Sequence, residues 1–331
     1  MIPYSPPRAI RELPVIDIGS ARSRSPEAMA GAAQAVRRAC LDTGFFYVAN
    51  HGVDAATLQA QFDWSRRFFA LPAAAKLALD QARSPAKRGY EPPGRQVLDD
   101  GSPADLKESY RYGPEPAAEH PYAGRGLPTY GPSQWPDGLP GFRPAALAYA
   151  RAMAEVGDAV LALLAVSLEL PPDFFGAYYR HPMATVRLLR YPPQPTADSG
   201  NLLGAGAHTD WGGVTILAQD EVGGLEVRNV AGEWVAAPPI AGTFVVNLGE
   251  MLARWTNDLY RSNLHRVRNA SAARDRYSIA FFYDPEYDAR IACLPSCLPA
   301  GETPRYPACT SGEHIAHMHR ITTQRPAGAA A

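Results

Sequence analysis

Residues 204–219 read Gly-Ala-Gly-Ala-His-Thr-Asp-Trp-Gly-Gly-Val-Thr-Ile-Leu-Ala-Gln, which places two short β-forming runs on either side of a polar turn. Similar runs, separated by Gly, Pro, Asn and Asp, fill the second half of the chain. Many short strands with turn signals between them predict a barrel or a double-sheet jelly roll. The predicted strands span residues 185–191, 204–208, 213–218, 224–228, 234–236, 243–247, 265–268, 277–283 and 290–294.

The first half of the chain has a different pattern. Its apolar spacing predicts strands over residues 13–18 and 45–49 and helices over residues 26–43, 55–70 and 73–79. Eleven prolines between Ser84 and Pro140 exclude long helices and central strands there. This stretch is therefore predicted to be packed loop with one edge strand near residues 108–112, followed by a long helix over residues 144–170.

Composition and charge narrow the class of partner. The chain carries 32 Lys and Arg against 33 Asp and Glu, so no overall field favours nucleic acid or an anionic membrane. Its first residues lack the pattern of a signal peptide, and no run of about 20 apolar residues is present. We therefore expect a cytoplasmic protein that acts on a small molecule, with four reduced cysteines; the oligomeric state is left open.

Three residues suggest a metal site. On a strand, residues two apart project from the same face, so His208 and Asp210 can reach one ion while Thr209 points away. His265, 55 residues after Asp210, would be brought back by folding. Two imidazoles and one carboxylate form a facial triad that leaves three octahedral positions open, the ligand set of non-haem Fe(II) oxygenases.

A second motif suggests a ligand for the open coordination positions of the metal. Arg276 and Ser278 would share one strand face in Arg276-Tyr277-Ser278, and Arg276 follows His265 by 11 residues. A guanidinium beside a hydroxyl can hold a carboxylate through charge-assisted hydrogen bonds. An arginine that points inward requires an anion, so these two residues predict an anionic ligand next to the metal.

Together these motifs resemble the isopenicillin N synthase-like branch of the 2-oxoglutarate and Fe(II)-dependent dioxygenases. The resemblance covers about residues 11 to 322. The motifs that carry it are His208-Thr209-Asp210, Ser262-Asn263-Leu264-His265-Arg266-Val267, Arg276-Tyr277-Ser278, Leu13-Pro14-Val15-Ile16-Asp17, Gly44-Phe45-Phe46, Asn50-His51-Gly52-Val53, Phe68-Phe69-Ala70-Leu71-Pro72, Lys76, Gly89-Tyr90 and Lys107-Glu108.

The resemblance implies an α+β fold. Its core would be a double-stranded β-helix, or jelly roll, flanked by helices and preceded by an α/β N-terminal domain. The expected parts are an N-terminal non-haem dioxygenase domain with a Pro-rich loop at 1–140, a long connecting helix at 141–180, the jelly roll at 181–300, and a C-terminal helix with a flexible tail at 301–331.

The resemblance also implies the ligands. Fe(II) would be bound by His208, Asp210 and His265, and O2 would take an open position, with ascorbate as a candidate reductant. The distal carboxylate of 2-oxoglutarate would be bound by Arg276 and Ser278, joined by the Tyr191 hydroxyl. Leu189 stands where plant members often carry asparagine, which removes one polar contact to the cosubstrate.

Strand parity extends the site toward the substrate. If Tyr191 faces inward, Arg187 shares that face and is a candidate ligand for an acidic group on the substrate. Phe282 shares the face of Arg276 and matches a phenylalanine that lines the substrate pocket in relatives. Trp211, directly after Asp210, is a second candidate pocket wall. Lys107-Glu108 is predicted to be structural, with its loop as a candidate border of the pocket, and the histidine-rich run 313–319 is predicted to be structural or solvent-facing.

The expected activity is the oxidation of a C–H bond of a small organic substrate, with hydroxylation as the default outcome and succinate and CO2 as coproducts. Three alternatives remain open. One is an oxidase that does not use 2-oxoglutarate, in which Gln324 would be an iron ligand. The others are an ethylene-forming-type enzyme, which fragments 2-oxoglutarate itself, and a non-catalytic ligand-binding protein on the same scaffold.

Overall fold

The computed structural model describes residues 5–23, 25–95, 106–193, 204–268 and 271–323. The helices are α1 (Pro26–Asp42), α2 (Ala55–Phe69), α3 (Ala73–Leu77), α4 (Phe142–Ser167), α5 (Glu250–Trp255) and α6 (Ser311–Thr323). The strands are β1 (Val15–Asp17), β2 (Phe45–Ala49), β3 (Gly89–Glu91), β4 (Glu108–Tyr112), β5 (Met183–Tyr191), β6 (Ala205–His208), β7 (Val214–Gln219), β8 (Leu225–Arg228), β9 (Trp234–Ala236), β10 (Phe244–Leu248), β11 (His265–Val267), β12 (Arg276–Asp284), β13 (Arg290–Ile291) and β14 (Cys309–Thr310).

Two sheets form the core of the fold. The major sheet has eight strands in the order β1-β2-β10-β7-β12-β5-β4-β3, and the minor sheet has four in the order β6-β11-β8-β9. Apolar side chains of both sheets pack between them, among them Leu189 and Val245 from the major sheet and Val227 and Val267 from the minor sheet. This arrangement confirms the predicted jelly roll.

Helices cover the outer face of the major sheet. Met153 and Val156 of α4 belong to the same buried cluster as Ile279 and Phe281, which alternate with the inward residues of β12. The long helix lies close to the sheet at Gly157, where a Cβ atom would come within 2.5 Å of the Tyr283 ring. The central strands are therefore buried on both faces.

The proline-rich stretch holds more strand than predicted. The strand expected near residues 108–112 forms as β4, but it lies between β3 and β5 and is not an edge strand. The edge is β3, which ends at Glu91 directly before Pro92-Pro93. Three residues are too few to show strand periodicity, which is why no sequence pattern indicated β3. Helix α5 and strand β14 were not predicted either.

The four helices predicted in the first half of the chain form as α1, α2, α3 and α4, with ends shifted by a few residues. The predicted C-terminal helix forms as α6. The four cysteines carry free thiols in the structure. Within the described ranges, no helix has both the length and the apolar character needed to cross a membrane.

The close approach of α4 to the sheet is testable with one methyl group. We expect Gly157→Ala to destabilise the protein by about 1–3 kcal/mol, because the added Cβ overpacks a buried contact. The Tyr283 ring cannot easily move away, since it is buried and its hydroxyl donates to Asp158 over 2.7 Å. Urea denaturation followed by circular dichroism measures the change in free energy of unfolding.

Gly31 provides the matched control. It lies inside α1, it is exposed, and a Cβ there would meet nothing within 4 Å. Gly31→Ala should therefore stabilise the protein by about 0.5–1 kcal/mol through helix propensity alone. Equal stabilisation by both substitutions would contradict the packing described for Gly157.

Candidate active site

The predicted triad lies together at the end of the minor sheet. His208 is the last residue of β6, and His265, the first residue of β11, is its cross-strand partner. The nearest ligand atoms of His208, Asp210 and His265 all lie within 4.8 Å of one another. His265 Nε2 is 3.9 Å from Asp210 Oδ1, and the two imidazole centroids are 4.2 Å apart. Two nitrogens and one oxygen thus converge on one point, as a metal ion requires.

Hydrogen bonds orient two of the three candidate metal ligands, His208 and Asp210. His208 Nδ1 lies 2.7 Å from the carbonyl oxygen of Gly206, so a proton on Nδ1 leaves Nε2 as the ligand atom. Asp210 Oδ2 accepts hydrogen bonds from Thr215 Oγ1 over 2.5 Å and from Asn247 Nδ2 over 2.7 Å. Asp210 Oδ1 remains directed toward His265. The major sheet therefore orients the carboxylate that the minor sheet carries.

The protonation states also suit a metal. Burial lowers the pKa of His208 to about 3, which keeps this imidazole neutral. Burial alone would raise the pKa of Asp210, but the two imidazoles and the hydrogen bonds from Asn247 and Thr215 lower it below its usual value. A neutral imidazole and an ionised carboxylate are the forms that bind metal ions.

A buried cation lies in the same interior. Arg276 is 0% exposed, and its guanidinium lies over the Tyr191 ring at 4.8 Å. Nη1 donates to Ser278 Oγ and Nη2 to Gln219 Oε1, each over 3.1 Å, and Nε donates to the carbonyl of Gly223. The predicted trio of Arg276, Ser278 and Tyr191 is thus assembled.

The hydrogen-bond partners of Arg276 are all neutral. Among the described residues, no ion pair joins a carboxylate to its guanidinium; the charges of Arg276 and Asp220 interact over a longer distance, while the Asp220 carboxylate accepts a hydrogen bond from the Tyr277 amide over 2.6 Å. A buried cation with only neutral partners is costly, and a bound carboxylate would offset that cost. The surroundings of Arg276 therefore fit the distal carboxylate of 2-oxoglutarate.

The register of β5 and β12 tests the predicted substrate face. Arg187 pairs with Ala280, between Ser278 and Phe282, so Arg187 and Phe282 face inward as parity predicted. Phe282 is half-buried, as is Leu217 on the neighbouring strand, although both point into the jelly roll. Half-buried apolar side chains on an inward face show that the described residues do not fill the interior at this end.

Arg187 has partners that sequence reasoning did not identify. Its Nη2 donates to Glu91 Oε2 over 2.5 Å, and its Nε donates to Ser109 Oγ over 3.0 Å. Glu91 belongs to the unpredicted strand β3, so no signal in the sequence placed it opposite Arg187.

Trp211 lies beside the metal site and contacts the C-terminal helix. Its indole packs edge-on against the His319 imidazole, with ring centroids 5.1 Å apart. The Trp211 carbonyl lies 3.1 Å from His314 Nε2, so α6 is attached to the loop that follows Asp210. Gln324, the residue on which the oxidase alternative depended, lies outside the described residues.

Comparison with known proteins agrees with this geometry. Residues 13–138 match the family described as non-haem dioxygenase in morphine synthesis N-terminal, and residues 179–285 match the 2OG-Fe(II) oxygenase superfamily. The chain is 40% identical over 302 residues to the 2-oxoglutarate-Fe(II) type oxidoreductase hxnY of Emericella nidulans, covering 90% of this chain and 86% of that protein.

Solved structures of 2-oxoglutarate and Fe(II)-dependent oxygenases are also similar to this chain. A Neurospora crassa protein crystallised with α-ketoglutarate (2-oxoglutarate) and thymine is similar with a TM-score of 0.82 and 29% identity, over 94% of this chain and 97% of that one. A 2OG-Fe(II) oxygenase family protein from Caulobacter crescentus is similar with a TM-score of 0.83 and 30% identity, over 94% and 99% of the two chains.

The fold and the site define a non-haem iron oxygenase. The chain belongs to the 2-oxoglutarate and Fe(II)-dependent oxygenases. It is an enzyme that uses Fe(II), 2-oxoglutarate and O2 to oxidise a small molecule, as the sequence predicted. The three alternatives, namely an oxidase that does not use 2-oxoglutarate, an ethylene-forming-type enzyme and a non-catalytic ligand-binding protein, are not favoured.

The hydrogen bond from Thr215 to Asp210 yields a test of metal binding. Thr215→Val preserves the shape of this buried side chain and removes the hydroxyl, so we expect Fe(II) affinity to fall about 10- to 100-fold, as for other outer-shell partners. Thr215→Ser, which keeps the hydroxyl, should remain close to wild type. Anaerobic competition with a coloured Fe(II) chelator measures both, and equal affinities for the two variants would contradict the role of this hydrogen bond.

Proposed function

We propose that His208, Asp210 and His265 hold Fe(II), and that Arg276, Ser278 and Tyr191 hold 2-oxoglutarate. The observation that carries this proposal is the buried Arg276 guanidinium, which has neutral hydrogen-bond partners and shares the interior with the triad. The bound iron would supply the chemistry in which O2 converts 2-oxoglutarate to succinate and CO2 while a C–H bond of the substrate is oxidised.

The residues around this site have separate tasks. Thr215 and Asn247 hold Asp210 Oδ2, so that Oδ1 remains the metal-facing oxygen. Arg276 and Ser278 would fix the distal carboxylate, and the opposite end of the cosubstrate would then extend toward the triad. Gln219 orients the guanidinium through its amide oxygen. This division leaves the remaining interior for a second small molecule.

We place the substrate against Phe282 and Trp211. Phe282 follows Arg276 and Ser278 on the inward face of β12 and keeps part of its ring exposed. Trp211 directly follows the metal-ligand candidate Asp210 and is half-buried against His319. Two aromatic walls can orient a substrate so that one C–H bond points at the metal and other bonds are kept away.

Removing a proposed metal ligand should abolish turnover without unfolding the protein. We expect His208→Ala and Asp210→Ala each to lower the release of succinate from 2-oxoglutarate by more than about 100-fold, more than loss of an outer-shell partner causes. Succinate is measured with Fe(II), O2 and a panel of small organic substrates, and circular dichroism checks the fold.

His317→Ala is the matched control, because His317 is an exposed histidine on α6. It should retain wild-type succinate release. Wild-type turnover in Asp210→Ala would contradict the proposed ligand set, and substrate-dependent O2 consumption without 2-oxoglutarate would contradict the proposed cosubstrate site.

A further inference from the structure

Residues 209–213, which we call the ligand loop, carry Asp210 and lead into β7. Three successive backbone amides at the start of α5 donate hydrogen bonds to carbonyl oxygens of this loop, namely Gly249 to Gly213 over 2.8 Å, Glu250 to Asp210 over 2.9 Å and Met251 to Gly212 over 3.0 Å. The approach is close, since a Cβ atom on Gly249 would lie 2.2 Å from the Gly212 carbonyl oxygen. The start of α5 therefore holds the backbone that carries Asp210.

The side chain of Glu250 adds a second contact with the ligand loop. Its Oε1 accepts a hydrogen bond from Thr209 Oγ1 over 2.7 Å. Thr209 lies between His208 and Asp210, two of the proposed metal ligands. Glu250 thus holds two adjacent residues of the loop, Thr209 through its carboxylate and Asp210 through its backbone amide.

The other carboxylate oxygen of Glu250 faces the C-terminal helix α6. Glu250 Oε2 lies 3.6 Å from His314 Nε2, and the same nitrogen lies 3.1 Å from the Trp211 carbonyl oxygen. Because a carbonyl oxygen only accepts hydrogen bonds, Nε2 carries the proton and donates it to Trp211. His314 is buried, and burial lowers its pKa to about 4, so the imidazole is neutral. The link to α6 is therefore a hydrogen bond from a neutral ring.

We propose that Glu250 is a positioning residue that couples the metal site to α6. Through Thr209 and Asp210 it orients the proposed metal ligands. Through His314 it sets the position of Trp211, the proposed wall of the substrate pocket. This inference rests on the proposed function, because it takes Fe(II) as the metal held by the triad.

The coupling acts in both directions. Attachment of α6 favours the ligand-loop conformation that binds the metal, so metal binding must favour attachment of α6 by the same factor. A side chain that only stabilised the fold would act differently, since Fe(II) would then leave α6 unchanged. The response of α6 to Fe(II) therefore separates a positioning role from a structural one.

Hydrogen exchange measured by mass spectrometry tests the coupling in the full chain, without O2, with and without added Fe(II). We expect Fe(II) to slow exchange of the α6 amides by about fivefold or more in wild type. His314→Phe keeps a ring and loses the donor to Trp211, so this response should disappear. His314→Gln, whose amide nitrogen can take the place of Nε2, should retain it.

Fe(II) affinity, measured by anaerobic competition with a coloured chelator, tests the other end of the link. Glu250→Ala and Thr209→Val each remove the hydrogen bond between these two side chains and should each weaken Fe(II) binding about 10- to 100-fold. Thr209→Ser keeps the hydroxyl and should remain close to wild type. Glu155→Gln, which changes an exposed glutamate of α4, should alter neither Fe(II) affinity nor α6 exchange.

Four results would overturn the proposal. They are unchanged α6 exchange when Fe(II) is added to wild type, an undiminished Fe(II) response in His314→Phe, wild-type Fe(II) affinity in Thr209→Val, and equal weakening in Thr209→Val and Thr209→Ser. If Glu250→Ala does not fold, the variants of Thr209 and His314 still decide the outcome, because each removes one contact of Glu250 from the opposite side. If the wild-type enzyme binds no Fe(II), the proposed function itself fails.

Discussion

The pairing of His265 with His208 across β11 and β6 is the constraint on which the site depends. Side chains alternate between the two faces of a strand, so a slip of one residue would turn one imidazole away from the other. Asp210 follows β6 by two residues, and its backbone carbonyl accepts a hydrogen bond from the Glu250 amide over 2.9 Å. The strand pairing, rather than any single contact, therefore brings the three candidate ligands to one point.

The pairing of β12 with β5 and with β7 positions the rest of the site. On the major sheet, Ser278 pairs with both Leu189 and Gln219, which places Arg276, Tyr191 and Gln219 around one interior position. Thr215 and Asn247, on two further strands of this sheet, hydrogen-bond to the Asp210 carboxylate. Asp210 thus joins the two sheets. Burying polar and charged groups in the interior costs stability, and these same groups form the candidate site.

The sequence allowed part of this site to be predicted. His208, Asp210, Arg276 and Ser278 were identified because spacing of two residues on a strand shows which side chains share a face. Thr215, Asn247 and Gln219 were not, since their roles depend on which strands pair and in what register, and a single sequence does not contain that information. Glu91 was missed because β3 is only three residues long. Lys107 was predicted to be structural, in a loop that is a candidate border of the pocket, and the structure places it among the buried charged residues.

In the proposed site, one interior holds a metal and, next to it, the carboxylate of a 2-oxo acid. Equilibrium dialysis of labelled 2-oxoglutarate without O2, with and without Fe(II), tests this arrangement in wild type and in Arg276→Gln. The structure predicts that Fe(II) strengthens 2-oxoglutarate binding in wild type, and that Arg276→Gln weakens this binding by about 10- to 100-fold with Fe(II) affinity unchanged. Binding of 2-oxoglutarate that is independent of both Fe(II) and Arg276 would contradict the account.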